Sequence, residues 1–122
     1  MTNILTLPLI QILATVGSDE DWIDAITFSN ADGSPCDLTG IAFELDISLD
    51  GPTSIVMAST ANGYLLLVPA TGSSVNNALL INIPAADKSV LTAGRYLISG
   101  SATADSHVVD VIVGSLVVRG SF

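Results

Sequence analysis

His107 is the only histidine in the chain, and Ser106 stands beside it. With an aspartate, these side chains would supply the nucleophile, base and orienting carboxylate of an acyl-transfer site. Their surroundings argue otherwise. No Gly-x-Ser-x-Gly elbow is present to expose a serine nucleophile. Ala104-Asp105-Ser106 instead forms a polar turn signal ahead of an apolar stretch, so His107 is expected in an exposed turn. Asp19, Glu20, Asp21 and Asp24 make a dense acidic cluster, and hard cations such as Ca²⁺ take several carboxylate oxygens. Their spacing lacks the glycine and closing glutamate of a calcium loop, so a solvated acidic loop is expected. Cys36, the single cysteine, can form no internal disulfide. With no metal-ligand spacing and no neighbouring base, it is expected in a polar turn with a structural role. Phosphate-cradling glycine loops and zinc-ligand pairs are also missing. The expectation is a protein that is not an enzyme and carries no cofactor or metal.

The scaffold holding these residues has 122 of them, the usual size of one domain, so residues 1–122 are taken as a single domain. Hydrophobic residues make up 49% of the chain and charged residues 12%, with a mean hydropathy of +0.65, which excludes a disordered chain. Three basic residues against twelve acidic ones give a net charge of −9. Nucleic-acid binders need a Lys/Arg surface to displace phosphate counterions, and Lys88, Arg95 and Arg119 are too scattered to make one. An acidic surface of this kind keeps free subunits soluble before assembly. The first sixteen residues contain no Lys or Arg and are interrupted by Pro8 and Gln11, unlike a secretory leader. No run is long and apolar enough for a membrane helix. A soluble protein made in the cytoplasm is expected, with neither nucleic acid nor membrane as partner.

Strand periodicity dominates. In Ile41–Leu49, Ile41, Phe43, Leu45, Ile47 and Leu49 alternate with Ala42, Glu44, Asp46 and Ser48, which predicts one buried and one exposed face. Further strands are predicted over Trp22–Phe28, Ile55–Ala58, Tyr64–Val68, Leu79–Ile83, Tyr96–Ala102 and Val108–Val118. In Trp22–Phe28, Asp24 interrupts an apolar side made by Trp22, Ile26 and Phe28. Val108–Val118 is apolar on both faces, which predicts a central or doubly covered strand. Turn signals separate these runs at Asn30–Pro35, Asp50-Gly51-Pro52, Asn62-Gly63 and Gly72-Ser73-Ser74. Many short strands at this spacing predict a sandwich or barrel of roughly seven to nine strands. Residues 84–91 open on a proline and end before Gly94, which predicts one short helical turn. Trp22, Phe43, Leu45, Ile47, Leu80, Ile81, Tyr96 and Val111 are expected to supply or border the core.

The N-terminal segment, residues 1–16, is rich in Ile and Leu, uncharged, and guarded only by Pro8. Exposed strand edges recruit other chains unless protected. It is expected to be either the first strand of its own sheet or an assembly arm, with Ile4, Leu5, Leu7 and Leu9 as candidate interface residues.

One stretch, Asp32-Gly33-Ser34-Pro35-Cys36-Asp37-Leu38-Thr39-Gly40, follows a strand with Trp22 and precedes an alternating strand. Further on come Leu80-Ile81-Asn82-Ile83-Pro84-Ala85-Ala86-Asp87, Leu91-Thr92-Ala93-Gly94-Arg95-Tyr96, and a closing Gly114-Ser115-Leu116-Val117-Val118-Arg119-Gly120. Across residues 20–119, the order and spacing of these segments resemble small structural proteins of tailed bacteriophages and prophages. Some of those are similar to the immunoglobulin-like N-terminal domain of baseplate upper proteins. The resemblance implies an all-β, immunoglobulin-like antiparallel sandwich acting in the virion as a tail, baseplate or fibre-attachment component. Its partners would be other virion proteins and copies of itself, assembled in the bacterial host cytoplasm. A capsid decoration protein and a carbohydrate-binding sandwich are the alternatives. A sugar site would need stacking platforms, and the chain has one Trp and two Tyr to offer.

Independently of the resemblance, the motif residues predict folding roles. Asp37 is placed to accept backbone hydrogen bonds from Thr39 or Gly40, and Leu38 to plug an end of the core. Tyr96, opening a strand after Gly94 and Arg95, is expected to bury its ring while its hydroxyl finds a partner.

Overall fold

In the computed structural model, residues 7, 9–30, 32–49, 55–86 and 91–120 are described. They form eight strands: β1 (Ile10–Gly17), β2 (Trp22–Thr27), β3 (Ala42–Ser48), β4 (Val56–Ser59), β5 (Leu65–Val68), β6 (Ala78–Ile83), β7 (Gly94–Ala104) and β8 (His107–Arg119). One sheet has five strands in the order β1-β8-β7-β3-β4, and the other has three in the order β2-β6-β5. The two sheets enclose one apolar core, making a β-sandwich.

Alternation decides which side chains enter that core. In β3, Phe43, Leu45 and Ile47 are at most 2% exposed, while Glu44 lies outside in solvent. Across the sandwich, β6 supplies Leu79, Ile81 and Ile83, all fully buried. Each such side chain contributes about 1.5–3 kcal/mol relative to an exposed position. Phe28, following β2, meets Phe43 of the opposite sheet with ring centroids 5.9 Å apart and planes tilted by 43°, a favourable aromatic geometry. Leu49, expected to continue the buried face of β3, is instead 61% exposed, because the strand has ended at Ser48.

The long β7–β8 hairpin turns on Asp105 and Ser106, with φ of 51° and 68°. Two consecutive positive φ values are what a two-residue hairpin of right-twisted strands requires. Further along, the register shifts: Gly100 pairs with Ile112 and Ser101 with Asp110, leaving Val111 as an extra residue in β8. This bulge exchanges the inward parity of β8, so both Val111 and Ile112 are buried. Val109 and Val111 face inward because of it. Beyond the bulge, Val113 and Val117 face outward opposite the buried Ile112, Leu116 and Val118, so that part of the strand is apolar on both faces. β8 is central, between β1 and β7, but its outer face is not covered: Val113 and Val117 are 46% and 36% exposed.

Among the described residues, every strand pair is antiparallel except one. β1 runs parallel to β8, with Ile10 opposite Ile112 through to Gly17 opposite Arg119. Residues 10–16 therefore belong to a strand of their own chain. Leu7 packs partly buried against the core, Leu9 is exposed, and Ile4 and Leu5 lie outside the described residues. Gly114 makes the parallel pairing possible, because a Cβ there would collide with the backbone carbonyl of Ile12.

No helix occurs among the described residues. Of the helical turn expected over residues 84–91, Ala85 and Ala86 form a turn, and residues 87–90 lie outside the described residues.

Candidate functional site: the outer face of the five-stranded sheet

The residues singled out for chemistry are spread over separate parts of the fold. His107 and Ser106 are exposed at the β7–β8 hairpin tip. Glu20 accepts a hydrogen bond from the Gly17 amide at 2.7 Å and lies 3.8 Å from the Arg119 guanidinium. Asp21 accepts from the Ala85 amide at 2.8 Å, and Asp24 from the adjacent Ala25 amide at 3.1 Å. Glu20 ties down the end of β1, Asp21 the chain two residues past β6, and Asp24 its own neighbour within β2, and no group of three potential metal ligands occurs among the described residues.

The Asp32–Gly40 segment is a pair of local turns. Ser34 donates its amide to Asp32 at 2.9 Å, and the Gly33 amide donates to the Asn30 carbonyl at 2.9 Å. Ser29 and Pro35 close this loop with an isolated bridge. Thr39 donates both its amide, at 3.0 Å, and its hydroxyl, at 2.7 Å, to Asp37. Both carboxyls are held below the usual aspartate range, each first by the hydroxyl hydrogen bond of its partner, Ser34 or Thr39. Leu38 is fully buried, and its amide donates to the Asn76 carbonyl at 2.8 Å. Gly40, at φ +85°, turns the chain into β3 in a conformation that side chains resist. Cys36 corrects the expectation of a polar-turn thiol: it is 3% exposed and belongs to the core. Its neighbours are polar, but the chain alternates there, with Cys36 and Leu38 inward and Asp37 outward.

Gly94 and Arg95 open β7, and Tyr96 is 4% exposed with its hydroxyl donating to the Thr92 carbonyl at 2.7 Å. Trp22 is likewise buried at 3%. With both rings in the core, neither serves as a sugar-stacking platform.

The outer face of the five-stranded sheet carries a different kind of site, one that sequence reasoning did not assemble. Leu13 of β1 pairs with Ser115 of β8, which pairs with Leu97 of β7. Leu13 and Leu97 are 72% and 51% exposed, and Val113 and Val117 flank Ser115 along β8. Ser115 between them is buried, with the Arg95 guanidinium donating to its hydroxyl at 3.4 Å. Beyond β7 the face turns acidic. Glu44 and Asp46 project from β3, and Asp46 raises the Glu44 carboxyl above its ordinary range, first by charge repulsion. Beside them is an open cleft of about 560 Å³, lined by Ala42, Glu44, Met57, Ser59, Thr103 and Val108 among others. The alternation of β3 assigned Glu44 and Asp46 to the outer face, but only strand order reveals the apolar neighbours two strands away.

No family model and no curated protein matches the chain.

Apolar side chains clustered on a sheet face, bordered by an acidic strip, are suited to covering by another protein surface.

Proposed function

We propose that this chain is an immunoglobulin-like interaction module, not an enzyme, and a structural component of a tailed-phage virion in its tail, baseplate or fibre-attachment region. The strand order supports the immunoglobulin-like reading. Relabelled A′ to G in chain order, the larger sheet is A′GFCC′ and the smaller BED, the division characteristic of that fold. Tyr96 supports it further: it stands early in the F-equivalent strand, and its hydroxyl bonds to the carbonyl four residues upstream, as in a tyrosine corner. The interface role rests on one observation, the exposed apolar cluster of Leu13, Leu97, Val113 and Val117 on the outer sheet face. The virion assignment, with other virion proteins and copies of the chain as partners, follows from the sequence resemblance across residues 20–119.

Proteomics and cross-linking of virions induced from the encoding cells test this reading. The chain is expected at constant stoichiometry in purified particles, and Leu97→Asp is expected to remove it from them without unfolding it. Particles lacking the wild-type chain would overturn the virion role.

A further inference from the structure

A sandwich of two open sheets has four edge strands, and three of them carry the usual protection against pairing with another chain. β4 and β5 are only four residues long. β2 bears Asp24 on the side of the strand that Trp22 and Ile26 bury, a charge that a neighbouring strand would have to desolvate. β1 is the exception. It has eight residues, no charge and no proline, and over Ile10–Val16 no described strand pairs with its outer edge. Its inward side chains Ile10, Ile12 and Ala14 pack on the core but stay half-buried. On its outward side stands Leu13, at 72% the most exposed of the large apolar side chains described.

We infer that β1 is the edge through which two copies of this chain join, antiparallel about a twofold axis near Leu13, fusing two five-stranded sheets into one. A second copy fits this edge for three reasons. Pairing adds cross-strand partners along the outer edge of residues 10–16. The second β1 extends the inner sheet face and covers the half-buried Ile10, Ile12 and Ala14. On a chain of net charge −9, an uncharged strand is also where like subunits approach with least repulsion. The twofold makes the contact self-complementary and closed, so it stops at a dimer and does not propagate as an open-ended fibre. This inference deepens the interface role proposed above by naming one contact. A monomeric chain found in virions would overturn the pairing and leave the virion role standing.

The test is sedimentation velocity of the full chain over a range of concentrations, with hydrogen exchange on the same samples. Wild-type protein is expected to shift with concentration from the 12.5 kDa chain to twice that mass, with amides of residues 10–16 gaining protection as it does. Leu13→Lys sets two ammonium groups against each other and is expected to abolish the dimer with an unchanged circular dichroism spectrum. Met57→Lys, on the opposite edge of the same sheet, is expected to leave it intact. A chain monomeric at every concentration overturns the inference. So does a dimer that survives Leu13→Lys, or protection of β1 amides only after a different protein is added.

Discussion

Tyr96 shows how much one polar atom contributes when its ring is already buried. The ring fills the core near the end of the sandwich, and the hydroxyl ties the start of β7 to the Thr92 carbonyl. Tyr96→Phe keeps the ring and removes one hydrogen bond, so a loss of about 1 kcal/mol is expected. Urea unfolding checks it: the midpoint should fall with an unchanged slope. The same residue scale separates what the sequence disclosed from what it hid. The Asp37–Thr39 turn was legible, because a short acidic side chain capping an amide two residues on is a local event. Cys36 was not, because polar neighbours say nothing about which way the side chain between them points. Its burial beside Leu38 follows from a two-residue alternation that continues into the loop.

Among the elements, β3 could be read directly, since strict period two permits only one assignment of faces. β8 could not, because a bulge at Val111 changes parity midway, so Val109 and Val111 face inward while Val113 and Val117, at the same period-two spacing, face outward. The direction of β1 was equally hidden. Periodicity gives a strand and its faces, but it does not give the partner or the sense of pairing, and here the partner lies at the far end of the chain. Gly114 holds the missing information, since only a residue without Cβ admits the Ile12 backbone so closely. Gly114→Ala is therefore expected to separate β1 from β8, at a cost of at least about 1–3 kcal/mol. Hydrogen exchange should show the amides of residues 10–17 losing protection while those of β3 and β6 keep theirs.

For the whole molecule, the three shifted carboxyls pull the pH dependence of stability in opposite directions. Glu44 takes up its proton more readily in the folded chain than in the unfolded one, because Asp46 opposes its ionisation. Lowering the pH through the raised Glu44 range therefore favours the folded state and relieves part of the negative charge. Asp32 and Asp37 act in the opposite sense. Their carboxyls are lowered by the Ser34 and Thr39 hydrogen bonds, so they contribute stability above the ordinary aspartate range and lose it as pH falls through their own lowered values. Melting temperature against pH is expected to pass through a shallow maximum between these windows, shallow because all three groups are exposed to solvent screening. Glu44→Gln should flatten the upper limb and leave the acid limb in place. The parallel pairing of the first strand with the last also governs how the molecule carries load. Ile10 lies level with Ile112 and Gly17 level with Arg119, so tension applied at Ile10 and Arg119 pulls the two strands past each other along their length. Their cross-strand bonds would then bear the force together in shear, not open one after another from an end, which makes this seam the natural mechanical clasp of the fold.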